Sequence, residues 1–143
     1  MGCFRVDVKV FHVADRARSE IVPQMLVDTG SEATWVPRKI LEQLGVKPEV
    51  KDRSFQMANG QIITRTIGYA VLEVAPDFKT VDEVVFAEPG DLALLGARSL
   101  EGLNVRVDPE HKQLVAAGPI PAAGNLLVRQ LKNNRKRSNA HGS

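Results

Sequence analysis

The sequence predicts a mainly β domain that closes like a barrel and carries one or two short helices. Three observations support that expectation. Phe4, Val6, Val8 and Val10 alternate with Arg5, Asp7 and Lys9, the period-two mark of a strand with one buried face. Short β-prone runs recur along the chain with turn chemistry between them. Asn59-Gly60 stands between two such runs, which is a strong short-range hairpin signal.

The elements follow in order. His12 to Glu20 is polar and reads as a loop, and Ile21 to Val27 returns as the strand that delivers Asp28. Pro37 suits a helix start, and Ile40, Leu41 and Leu44 share one face before Gly45 closes it. Phe55 to Ile63 forms a hairpin with Asn59-Gly60 at its tip, expected as a type I′ turn with positive φ at both central residues. Its second arm continues through Ile67, Tyr69, Val71 and Val74. Thr80 to Phe86 is another strand, Leu92 to Leu95 a short apolar one, and Ala97 to Leu103 a short helix. Asn104 to Asp108 and Gln113 to Ala116 make a final hairpin.

Composition bounds the function. Of the 143 residues, 43% are apolar and 25% charged, as expected for one globular domain with a core of its own. No apolar run approaches the ~18 residues that a membrane span needs. The single cysteine, Cys3, leaves no internal disulfide and fits a reducing compartment, so a cytoplasmic protein without a membrane partner is expected. The three histidines are scattered, and neither a metal nor a cofactor is expected. Residues 1–118 read as the folded domain. The Gly118–Gly124 stretch is a linker, and residues 119–143 are a basic tail with five Lys or Arg and no acid, expected to be disordered. Such a tail can touch nucleic acid, but its ordinary reading is a solvated end, and no nucleic-acid partner is expected.

The stretch Met25 to Val36 carries the chemistry. An apolar run leads a carboxylate, Asp28, into the tight turn Thr29-Gly30. A carboxylate delivered by a buried strand is costly unless hydrogen-bonded or protonated, and such groups gather at functional sites. The plainer reading is that Asp28 caps the turn and Gly30 supplies a positive φ. Asp-Thr-Gly alone turns up by chance in roughly a few per cent of chains of this length, so its flanks decide.

Those flanks resemble the single-domain, retropepsin-like aspartic proteases. In that family a strand ending in Asp-Thr/Ser-Gly-Ala/Ser precedes a later hydrophobic-hydrophobic-Gly strand that leads into a short helix. Here the two elements are Leu26-Val27-Asp28-Thr29-Gly30-Ser31 and Leu94-Leu95-Gly96 followed by Ala97-Arg98-Ser99-Leu100. The resemblance, spanning Phe4 to Val115, implies a closed retropepsin fold with a flap hairpin and an aspartic endopeptidase activity. One motif copy per chain implies a homodimer, with Asp28 of each chain meeting across a two-fold axis and sharing a proton. Thr29 would lock the two loops together. Gly30 would let the loop turn and show its carbonyl to the substrate, and Ser31 would donate to the outer carboxylate oxygen. Met57, Ala58, Asn59, Gly60 and Ile62 would form the flap over an extended peptide or unfolded protein. Trp35, Ile62 and Leu95 would be pocket walls, with plain core as the other reading of all three. Where retroviral members use another arginine, two readings stand here: a Glu32–Arg98 pair, or Arg98 as a solvated helix residue. Two other readings remain: a catalytically silent, dimeric peptide-binding module on the same fold, and a nucleic-acid-associated protein acting through its tail. Intact Asp28-Thr29-Gly30-Ser31 argues against the silent module.

Overall fold

A computed structural model describes residues 4–121. The chain runs β1 (Arg5–Phe11), β2 (Ser19–Asp28), β3 (Thr34–Pro37), α1 (Arg38–Leu44), β4 (Val50–Gln56), β5 (Ile62–Ala75), β6 (Phe78–Ala87), β7 (Leu94–Gly96), α2 (Ala97–Gly102), β8 (Val105–Asp108) and β9 (Gln113–Ala116). Six strands pair in the order β1-β2-β7-β3-β6-β5, and β5 pairs back onto β1 to close a barrel. β4 hangs outside that ring on β5, and β8–β9 is a separate two-stranded ribbon. The mainly β, closed architecture with two short helices matches the expectation. So does the retropepsin-like order of its elements.

Alternation splits the strands between two apolar layers. Val8, Val10, Met25, Val27, Val36, Leu72, Val84, Phe86 and Leu95 fill the main core. Their neighbours Trp35, Val85, Ala87 and Ile67 face the other way, into a second cluster completed by Phe55, Met57 and Ile63 of the β4–β5 hairpin. Pro37 ends β3 and caps α1, whose Leu41 and Leu44 are buried, and Gly45 closes it at φ +76°.

The hairpin tip differs from the sequence expectation. Asn59 is absent from the positive-φ residues and only Gly60, at φ +86°, is left-handed. Met57 N–H bonds Gln61 O and Gly60 N–H bonds Met57 O, both at 2.8 Å, so Ala58-Asn59-Gly60 is a three-residue loop and not a type I′ turn. Register is the reason. This loop pairs Phe55 with Ile63 and puts both against the Trp35 cluster, whereas a two-residue loop would oppose Phe55 to Thr64. Asn59 instead uses its side chain, with Oδ1 accepting Gln61 N–H at 2.9 Å.

Among the described glycines, Gly96 has the closest surroundings. A Cβ there would sit 2.2 Å from Ala33 O and 2.9 Å from Ser31 O. Gly96→Ala is therefore expected to cost ~3 kcal/mol or more. Urea unfolding should show a lower midpoint at unchanged slope; a midpoint equal to that of the unsubstituted protein would refute this account of the packing.

Candidate active site

β2 and β7 run parallel with Leu26 opposite Leu94, Val27 opposite Leu95 and Asp28 opposite Gly96. That pairing brings together the two motifs the sequence singled out. Asp28 is the last residue of its strand and half-buried. Its Oδ1 accepts Gly30 N–H at 2.9 Å, and its carbonyl accepts Ser31 N–H at 3.2 Å. Asp28 thus caps its own turn while remaining at the barrel's edge. Gly30 is not in the left-handed region, contrary to the plain reading; a Cβ there would press to 3.2 Å from Asp28 Oδ1, so it makes room for the carboxylate.

The loop beyond Gly30 is fastened from the α2 side. Ala97 N–H donates to Ser31 O at 2.7 Å and Arg98 N–H to Glu32 O at 3.2 Å. Ser31 Oγ donates to Ala33 O at 2.9 Å. The expected hydroxyl bond from Ser31 to the Asp28 carboxylate is therefore replaced by a bond within the turn. The short spacing to Ala33 favours this local closure. Arg98 lies 3.9 Å from the exposed Glu32 and 3.6 Å from the half-buried Glu83, so the expected Glu32 pair exists but is loose and shared, and contributes little.

The other predicted site residues separate by depth. Thr29 is exposed and lines a groove of about 360 Å³ with Ala97, Leu100, Val105, Val107 and Ala117. Trp35 is 5% exposed and meets the Phe55 ring at 5.2 Å between centroids. Met57 packs partly on the same cluster, while Ala58, Asn59 and Gly60 are exposed at the tip. Ile62 is 67% exposed and alternates away from Trp35. Leu95 is fully buried in the main core, so in a single chain it supports the site from beneath and does not line an open wall. The basic tail lies outside the described residues except for positions 119–121.

Sequence reasoning missed two ion pairs that tie β5 and α1 to the loop after β6. Arg65 of β5 grips Asp91 through Nε–Oδ2 at 2.7 Å and Nη2–Oδ1 at 2.9 Å, and Asp91 Oδ2 also accepts Glu88 N–H at 2.8 Å. Arg38 Nε reaches Glu88 at 2.8 Å and its guanidinium lies over Phe86. Nothing in local spacing links positions so far apart in the chain. A third group, Thr34, Ser99 and Asp82, was also missed; its one signal was a serine on the inward face of a short helix.

A closed barrel with an Asp-Thr-Gly loop held against a hydrophobic-hydrophobic-Gly strand defines the retropepsin-like class of aspartic proteases. Residues 20–102 match the family model described as gag-polyprotein putative aspartyl protease, and the chain belongs to that family. No curated protein matches the chain. The match runs from β2 to α2, leaving β1 and the β8–β9 ribbon outside it. No helix among the described residues is long and apolar enough to cross a membrane.

The Arg65–Asp91 pair yields a pH test. The bond from Arg65, aided by Glu88 N–H, holds the mostly buried Asp91 carboxyl below the usual range. A lowered folded pKa adds stability above the unfolded value, lost as pH falls through the folded one. Asp91→Asn should therefore cost ~2 kcal/mol at pH 7, with the gap to the parent closing below about pH 4. Urea midpoints at pH 7 and pH 3 measure it; an equal gap at both would overturn it.

Proposed function

We propose that the protein is a homodimeric aspartic endopeptidase in which Asp28 from each of two chains forms the catalytic pair. The observation that carries this reading is the Asp28–Gly96 pairing. It holds a half-buried carboxylate at the barrel's edge with Gly30 N–H already bonded to one oxygen. Family membership supports the chemistry. The apolar groove beside exposed Thr29 supports a partner on that face. The motif stands once in these 143 residues, which supports a second carboxylate supplied by a second copy.

Two adjacent carboxylates cannot both ionise cheaply, so the pair holds one proton. The ionised member takes a proton from a water held between them, and the water oxygen bonds to the peptide carbonyl carbon. The protonated member gives its proton to the carbonyl oxygen, leaving a tetrahedral diol. The amide nitrogen is then protonated, the C–N bond breaks, and a carboxylic acid and an amine leave. Thr29 would bond across the two-fold, and Gly30 would offer its carbonyl to the substrate backbone. The β4–β5 tip would close over an extended peptide held mainly by backbone bonds, with Met57 and Ile62 facing its side chains and the buried Trp35 and Leu95 supporting the walls from behind. Ser31 would stand beside the substrate and shape the loop through its bond to Ala33. The domain would end near residue 118, before the basic tail. Cytoplasmic placement fits the lone cysteine.

Asp28→Asn should abolish cleavage of a denatured protein or peptide library, at least ~10³-fold, while leaving unfolding nearly unchanged. Activity within a few fold of the parent would sink the assignment. A silent peptide-binding module would bind the library in both forms and cleave it in neither.

Activity per chain should fall on dilution as the dimer dissociates, and sedimentation should show dimer wherever activity is full. An interface of this kind should bury about 2,000 Å² or more. Full specific activity in a strictly monomeric sample would refute the shared pair.

A further inference from the structure

Among the described residues, the fully buried polar side chains are Thr34 and Ser99. Neither belongs to the Asp-Thr-Gly loop, and a buried hydroxyl is costly unless bonded. Both are bonded, and to each other. Gly96 N–H donates to Thr34 Oγ1 at 3.0 Å. Thr34 Oγ1 lies 2.5 Å from Ser99 Oγ, and Ser99 Oγ donates to Asp82 Oδ2 at 2.7 Å. Each hydroxyl has one proton, and a carboxylate only accepts. The Ser99 proton is spent on Asp82, so Thr34 must be the donor to Ser99. Every donor therefore points the same way, from the Gly96 amide through Thr34 and Ser99 to Asp82. Asp82 Oδ1 is itself fixed by Glu83 N–H at 2.7 Å.

This chain links four elements: β7 through Gly96, β3 through Thr34, α2 through Ser99 and β6 through Asp82. Aligned hydrogen bonds in a low-dielectric interior polarise one another, so the chain is stiffer than separate pairs would be. Its far end is the amide of the residue opposite Asp28. The same residue abuts the carbonyls of Ser31 and Ala33, and the next two residues donate to Ser31 and Glu32. A shift of Gly96 cannot be absorbed locally, because that contact leaves no slack. An apolar pair would fill the space of Thr34 and Ser99, but it would not orient the Gly96 amide.

We infer that Thr34, Ser99 and Asp82 form a positioning relay that sets the placement of the Asp28–Ser31 loop through the Gly96 amide, without touching substrate. In its kinetic consequence the inference rests on the proposed role of Asp28; in its structural consequence it does not. A loop displaced by a fraction of an ångström binds the peptide through its other contacts but presents the carboxylates poorly, so the loss falls on kcat and not on KM.

The test uses the full chain with Ser99→Ala, Thr34→Val, Thr34→Ser and Asp82→Ala. On a peptide that the parent cleaves, Ser99→Ala and Thr34→Val should lower kcat per folded chain by about tenfold or more, with KM within about threefold. Thr34→Ser keeps the hydroxyl and should retain kcat within about threefold. Asp82→Ala, at a half-exposed position where folding is secure, should show the same split with a smaller loss. Amide hydrogen exchange at Gly96 and Ser31 should accelerate in Ser99→Ala by about tenfold more than at Ala70 and Leu72 of the barrel wall. Unchanged kcat in folded Ser99→Ala and Asp82→Ala, or an exchange increase uniform across the barrel, would overturn the relay. If the parent itself cleaves nothing, or Asp28→Asn stays active, the proposed function fails, and the exchange contrast alone then decides the relay.

Discussion

The parallel pairing of β2 with β7 is the constraint on which the rest of the structure depends. Parallel strands cannot be joined by a tight turn and need a long crossover. Here the crossover holds most of the domain, from Thr29 through β3, α1, β4, β5 and β6 to Ala93. The place of Asp28 is thus decided by nearly every element of the chain. β7 has only three residues, yet it is gripped by β2 on one side and by β3 on the other, where Leu94 meets Trp35. Leu95 inserts into the core between them, worth about 2 kcal/mol of burial. Gly96 lets the turn after Asp28 lie directly against the strand end.

A second consequence of the barrel is the division of apolar residues into two layers. Val84 and Phe86 point into the core while Val85 and Ala87 point out of it, and the outer pair is covered by the β4–β5 hairpin. The base of that hairpin is held by Phe55 on Trp35 and by Arg65 on Asp91, whereas its tip at Ala58 to Gly60 is exposed and bonded mainly to itself. An element anchored at its base and open at its tip can pivot without disturbing the core. The ion pair lies far from Asp28 in sequence, and it fixes the β5 side of the hairpin's base.

The family match and the architecture divide the chain in an instructive way. β2 to α2 supply the loop, the hairpin and the strand that supports Asp28, and this is the segment the family model matches. The flanks do different work. β1 closes the barrel by pairing with both β2 and β5. β8 and the residues after β9 line the groove beside Thr29. Closure thus depends on a strand outside the matched segment, and the groove is shared between that segment, through Ala97 and Leu100, and the β8–β9 flank.

Local chemistry determined much of this protein. The Phe4–Val10 alternation, α1 between Pro37 and Gly45, the hairpin at Asn59-Gly60 and the two motifs around Asp28 and Gly96 were legible, because each depends on residues a few positions apart. Tertiary structure decided the rest. The tip became a three-residue loop because burying Phe55 and Ile63 against the Trp35 cluster outweighed the turn preference of Asn-Gly. Ser31 turned to Ala33, since a partner two residues away is always within reach. Leu95 went to the core because the parallel register aims it there. The Thr34–Ser99–Asp82 chain and the Arg65–Asp91 pair had no local signature at all. Their partners stand 17 to 65 residues apart, and only the closing of the barrel makes them neighbours.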